Sequence, residues 1–162
     1  MITLVIIGVI AALTVPSLIN KTNNQEYVSR LKKAYSTLSQ ATNLILAEEG
    51  TLKGEDNWGN SSQKTYELYK KHLISAKDCN NQSGCFKQGT YSFLNGDPAV
   101  SFDSNINEYK LILSDGIQVL FTGHSSDCSI TWIDSQNACS LIYVDLNGEK
   151  KQMFMVEMFL YF

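Results

Sequence analysis

Between Ile2 and Ile19 there is no charged residue. That absence excludes an ordinary solvated helix or loop at this end of the chain. No basic residue precedes the run and no A-x-A site follows it, which argues against a cleavable secretory signal. Histidine is scarce: His72 and His124 are the only two. His124-Ser125-Ser126-Asp127 holds the residue types of a hydrolase triad, but neighbours on one loop rarely build that constellation, and loop polarity is the plainer reading. No P-loop, no dinucleotide fingerprint and no HExxH occurs, so the common phosphate-cradle and zinc-protease chemistries lose their sequence basis. Net charge is −3 and the pI is near 5.3, so no basic face for nucleic acid is indicated. The small Lys32-Lys33 and Lys70-Lys71-His72 clusters read as solvated. There is no internal repeat and no low-complexity linker.

What is present starts with the run itself, ITLVIIGVIAALTVPSLI. At about 1.5 Å per residue it reaches roughly 27 Å as a helix, enough to cross a hydrocarbon core. The remainder is polar enough to be soluble, so residues 1–20 read as a membrane segment and 21–162 as one extramembrane domain. Gly8, Ala11 and Ala12 are small, and small residues let helices approach closely in lipid. Pro16 removes a backbone donor and is expected to kink or loosen the helix one turn from its end.

From Asn23 to Glu49 apolar or aromatic residues recur at Tyr27, Leu31, Ala34, Tyr35, Leu38, Ala41 and Ile45, the stripe of a helix laid on a sheet. Gly50 is a natural stop. Residues 51–60 read as loop. Ser61 or Ser62 can cap a short helix with Tyr66, Tyr69 and Leu73 on one face. A polar loop follows between Cys79 and Cys85. YKLILS and IQVLFT flank Asp115-Gly116, a strong hairpin signal. SITWID, CSLIYVD and MFMVEMFLYF read as further strands, with Asn147-Gly148 as a turn. The fold class is therefore α+β: a long helix, a short helix, then four or five antiparallel strands.

The four cysteines are even in number and sit in an anchored domain, which implies disulfides and an oxidising compartment. Three connectivities are open; local pairing, Cys79 with Cys85 and Cys128 with Cys139, is the simplest. Zinc stands behind it, because C-x₅-C and C-x₁₀-C depart from the usual ligand spacing. Lys21, Arg30, Lys32 and Lys33 follow the apolar run, and the positive-inside rule taken alone would put the domain in the cytoplasm. A basic leader upstream of Met1 would remove that conflict, and the cysteines carry the decision. Asp145 and Asn147 place oxygen ligands at alternate positions, as calcium loops do; D-x-N-G is equally a common turn, and the rest of an EF-hand is missing. No other cofactor is expected.

With these motifs in place, the chain resembles the type IV pilins and the pseudopilins of type II secretion systems. Gly8, Ala11, Ala12, Leu13 and Pro16 fall where that family's N-terminal helix carries such residues. The KDCNNQSGC loop, the LILSDG hairpin, Cys128, Cys139 and IYVDLNGEK follow the order of one pseudopilin-like branch, so the resemblance covers nearly the whole chain. The family's processing glycine, first Phe and Glu would lie before Met1. After the Asn147-Gly148 turn the Pro-Asn, Gly-rich stretch usual there is replaced by Glu149-Lys150-Lys151-Gln152. The resemblance implies a pilin-like fold and a subunit that is not an enzyme. It implies a single-pass inner-membrane location with the C-terminal domain outside, prepilin-peptidase processing with N-terminal methylation, and polymerisation with copies of itself and related subunits by an assembly machine. The alternative, of a different class, is a monomeric membrane-anchored binding or enzymatic domain that uses the helix only as a tether. Pro16, the small-residue face and the amphipathic continuation favour the filament subunit, since a tether needs none of them.

Overall fold

The computed structural model describes residues 2–50, 61–87, 91–93, 98–99, 102–123, 130–131, 137–146, 148 and 154–161; side chains are described from residue 25 onward, and not at 92–93, 98–99, 130–131, 137–138 or 154–161. Two compact units emerge, Met1–Lys33 and Ala34–Phe162, with the boundary inside the first helix. That helix, α1, spans Ile2–Glu49 and includes Pro16. Among the residues with described side chains, no helix is long and apolar enough to cross a membrane. The apolar run at Ile2–Ile19 lies before them.

In the second unit the end of α1 buries Ala34, Leu38, Ala41 and Ile45, spaced 4, 3 and 4 residues apart as the stripe requires. Tyr35 does not join them and is 63% exposed. One residue past Ala34 is about 100° around the helix, which carries the ring off the buried face. Tyr27 and Leu31, in the first unit, are half-buried. Gly50 ends the helix at φ +80. Helix α2, Ser62–His72, is capped by Ser61, whose hydroxyl accepts from the Lys64 N–H at 3.3 Å. Tyr66, Tyr69 and Leu73 are buried, as the sequence pattern requires.

Among the described residues the strands are β1 Ser75–Asn80, β2 Tyr91–Phe93, β3 Pro98–Ala99, β4 Tyr109–Leu113, β5 Gln118–Gly123, β6 Ile130–Thr131, β7 Asn137–Asp145 and β8 Phe154–Tyr161. They form one sheet in the order β1-β4-β5-β7-β8-β2-β3, with β6 on β7. The fold is thus α+β, a helical layer on a mostly antiparallel sheet. The expected four or five strands become eight among the described residues, and β2 runs parallel to β8. The β4–β5 hairpin turns at Asp115-Gly116, with Gly116 at φ +84. The extra strands β1, β2 and β3 are short or polar and lack the alternation that marks a strand in sequence. Only Ile130–Thr131 of SITWID is described as strand.

Every residue of β5 except Gly123 is buried, so neither sheet face is open there. Phe121 meets the rings of Tyr69 at 5.2 Å and Tyr66 at 6.0 Å, and its cross-strand partner is Ile142. The neighbouring Leu120 points the other way. It packs with Cys79, Cys85, Phe86, Tyr91, Phe102, Leu141 and Tyr143. One face is covered by α2, the other by the cysteine loop and the segments after it.

Helix α2 is held close to the end of β5. The Gly123 N–H donates to Ser62 Oγ at 2.9 Å, and a Cβ at Gly123 would lie 2.5 Å from the Ser61 backbone. No real Cβ tolerates such a contact with backbone. Gly123→Ala is expected to push the start of α2 off the sheet and to lower stability by about 2–4 kcal/mol, read as a shifted urea midpoint. A midpoint within experimental error of the parent contradicts this close approach.

Candidate functional site

Strand β1 is polar, yet it organises the surface around it. Its register against β4 shifts between Ser75 and Lys77 and again between Asp78 and Asn80. Such bulges re-aim side chains. Cys79 turns into the lower core and bonds Cys85, while Asp78 and Asn80 face α2. The Asp78 carboxylate accepts from the Tyr66 hydroxyl and from the Lys70 ammonium. It also accepts the Asn80 N–H at 3.1 Å, which closes a local turn. Asn80 adopts φ +51, the left-handed region that asparagine tolerates better than most residues. Lys70 Nζ lies 5.5 Å above the Tyr66 ring.

Burial pushes the Tyr66 hydroxyl far above its ordinary range, and the hydrogen bond to Asp78 adds to it, so Tyr66 stays a neutral donor. Burial raises Asp78, but the hydrogen bonds from Lys70 and Tyr66 together outweigh it and hold the carboxyl below its usual value. Beside this cluster a cleft of about 490 Å³ opens between α2 and β1, reaching Gln63, Glu67, Asn81 and Tyr109.

Behind the cleft the cysteine loop is fixed by Asp103. Its buried carboxylate accepts the N–H groups of Gly84 at 2.9 Å, Cys85 at 3.2 Å and Phe86 at 2.9 Å. Next to it Lys110 is fully buried and donates to the Asn105 carbonyl at 2.8 Å. Burial lowers the Lys110 pKa, against the opposing pull of Asp103 and Glu108; burial raises that of Glu108, against Lys110. This group is a structural brace under the loop.

The residues marked in the sequence are placed as follows. Gly8, Ala11, Ala12 and Pro16 belong to α1, with side chains outside the described residues. Cys79–Cys85 is a disulfide, and Cys139 is disulfide-bonded too; Cys128 lies outside the described residues. Asp145 is fully buried at the end of β7 opposite Gln118, and Asn147 lies outside the described residues. No group of three or more His, Cys, Asp or Glu able to hold a metal occurs among the described residues. His72 reaches Glu48 at 3.3 Å and Lys71 reaches Glu49 at 3.9 Å, while Lys70 is on Asp78. The lysines of the 70–72 cluster are exposed, as expected of a solvated group, and they also pair, Lys70 with β1 and Lys71 with the end of α1. His72 Nε2 is buried and too poorly aligned with Glu48 to count as a hydrogen bond, so the contact is a loose one. His124 to Asp127 lie outside the described residues. Sequence reasoning missed Asp78, Asp103 and Lys110 altogether, since the partners that give each its role lie on other segments.

The fold and site define an α+β domain with a disulfide-braced polar cleft. No protein-family model, no curated protein and no solved structure matches the chain.

Two outcomes follow. Asp103→Ala leaves three loop N–H groups without their acceptor, and is expected to cost about 3 kcal/mol or more and to make Cys79–Cys85 reducible at lower dithiothreitol concentration. The Asp78 carboxyl titrates lower in the folded chain than in the unfolded one. Its contribution is therefore complete above the unfolded value, about 3.9, and is lost as pH falls through the folded value. Lys70 is 45% exposed, so solvent screening keeps the contribution under about 1 kcal/mol. In urea melts between pH 5 and pH 2, Asp78→Asn should lose less stability than the parent; parallel acid limbs would contradict the pairing.

Proposed function

We propose that the chain is a structural subunit, a pseudopilin or minor pilin, of a type IV pilus-like or type II secretion filament. The observation that carries this reading is α1. It is one helix whose start is the uncharged run Ile2–Ile19 and whose end buries Ala34, Leu38, Ala41 and Ile45 in the folded domain. A helix that is apolar on every side at one end and striped at the other has two different environments to satisfy. Lipid, and later neighbouring copies of the helix, would serve the first; the domain serves the second. The disulfides support an oxidising compartment outside the inner membrane for the domain. No enzymatic role is assigned.

In this reading the subunit waits in the bacterial inner membrane and is then drawn into a filament by a dedicated machine. Gly8, Ala11 and Ala12 allow close helix approach in the core, and Pro16 leaves a carbonyl that neighbouring helices can shelter.

Gly8→Lys puts a charge where neither lipid nor a neighbouring helix accommodates it, at about 3 kcal/mol or more. Sheared surface fractions from cells expressing the variant should hold at least tenfold less of the subunit than the parent. Undiminished filaments would make the helix a tether only.

A further inference from the structure

The cleft between α2 and β1 has no part in a helix-mediated filament core, and its walls are built for something else. Its volume of about 490 Å³ falls in the range of small-molecule sites. We propose that it is a binding site for a neutral saccharide of one or two rings.

Both lysines at the cleft have a carboxylate partner within the chain, and the Glu67 carboxylate accepts from the Gln63 amide. Lys70 is paired with Asp78 and Lys71 with Glu49. An anion would have to compete with Asp78 and Glu49 for these lysines, and a cation with the Gln63 amide for Glu67. The groups left over are amides and one carboxylate. The Gln63 amide N–H donates to Glu67 at 2.8 Å, which leaves the Gln63 carbonyl and the second Glu67 oxygen as acceptors. The Asn80 side-chain amide lies 3.2 Å from the Tyr66 hydroxyl and lines the cleft beside it. Asn81 is fixed by its bond to the Ile106 carbonyl at 3.3 Å. The cleft thus carries amides and a carboxylate within a short distance, and a sugar hydroxyl, a donor and an acceptor at once, can answer either kind of group. Half-buried Tyr109, whose ring is tilted by 39° against Tyr66 at 5.2 Å, lines the cleft and supplies an aromatic surface of the kind the C–H face of a pyranose packs against.

The wall is also preorganised. A bulge and a left-handed Asn80 are maintained on the strand that lines the cleft, and a disulfide at the bulged residue keeps them in place. Local strain of that kind persists where the surroundings over-determine it, and binding sites are where it collects.

The test uses the full chain in an amine-oxide detergent, which carries no sugar. Maltose, cellobiose, lactose, chitobiose and N-acetyllactosamine are offered at 10 mM, free and as polyacrylamide conjugates, beside glucuronate and inorganic sulfate. Saturation-transfer NMR reads the free sugars and surface plasmon resonance the conjugates. At least one neutral sugar should bind, and Gln63→Ala with Asn81→Ala should weaken it at least tenfold. Both positions are on the surface, and a retained urea midpoint shows that the variant is folded. Gln40→Ala, on α1, should leave binding unchanged. Binding by the conjugates alone, if it is lost in the double variant, supports a site for displayed glycans. The proposal is overturned if no neutral sugar binds in either form, if the double variant binds as the parent does, or if sulfate or glucuronate displaces the sugar.

Discussion

Tyr69 is the point at which the helices and the sheet of the second unit are joined. Its ring is fully buried against Phe121 of β5, and its hydroxyl meets Thr42 of α1. The Thr42 hydroxyl already donates to the Leu38 carbonyl at 2.8 Å, so the proton between the two side chains comes from Tyr69. Burial holds that phenol well above its ordinary range, so it is a neutral donor near pH 7. A buried hydroxyl without a partner is costly, so α1 is set in one rotation about its axis. The apolar stripe alone would allow slippage; one hydrogen bond does not.

From that fixed helical layer the remaining geometry follows. With Phe121 committed to the helices, Leu120 is committed to the opposite face by strand alternation. That second face would be exposed apolar surface unless something covered it. The cysteine loop does so: Cys79, Cys85 and Phe86 close over Leu120 and Tyr143, and Asp103 holds the loop by its backbone. A loop of this size has little core of its own, and its crosslink is worth about 2–3 kcal/mol through the unfolded chain. The bulge that directs Cys79 downward is the same bulge that leaves Asp78 and Asn80 facing α2. Cleft and crosslink are two sides of one irregular strand.

This division explains which parts could be read in the sequence. The stripe of α1, the Ser61 cap, the tyrosine face of α2 and the Asp115-Gly116 hairpin all rest on neighbours within a few residues, and periodicity or turn chemistry exposes them. The proximity of Cys79 and Cys85 was legible for the same reason. Strand β1 was not, because SAKDCN acquires strand character only from β4, some thirty residues on. The parallel pairing of β2 with β8 depends on segments more than sixty positions apart, and nothing in YSF announces it. The cleft draws on α2, β1 and β4 at once, through Gln63, Asn80 and Tyr109, none of which is unusual where it stands. Tyr35 erred in the other direction: it fits the apolar count but not the helical angle.

Among the described residues strand β1 closes one side of the sheet, with β4 as its sole neighbour in the strand order. An outer strand offers a row of open backbone groups to any strand that comes alongside. Here two breaks in register interrupt that row within six residues, and Lys77 folds across to the Gly84 carbonyl at 2.6 Å. A straight strand from another molecule could match only a few of those groups before falling out of step. Crowded copies of this domain would thus find little reward in zipping sheet to sheet along β1, and amyloid-like growth from that border is disfavoured by the very kinks that shape the cleft.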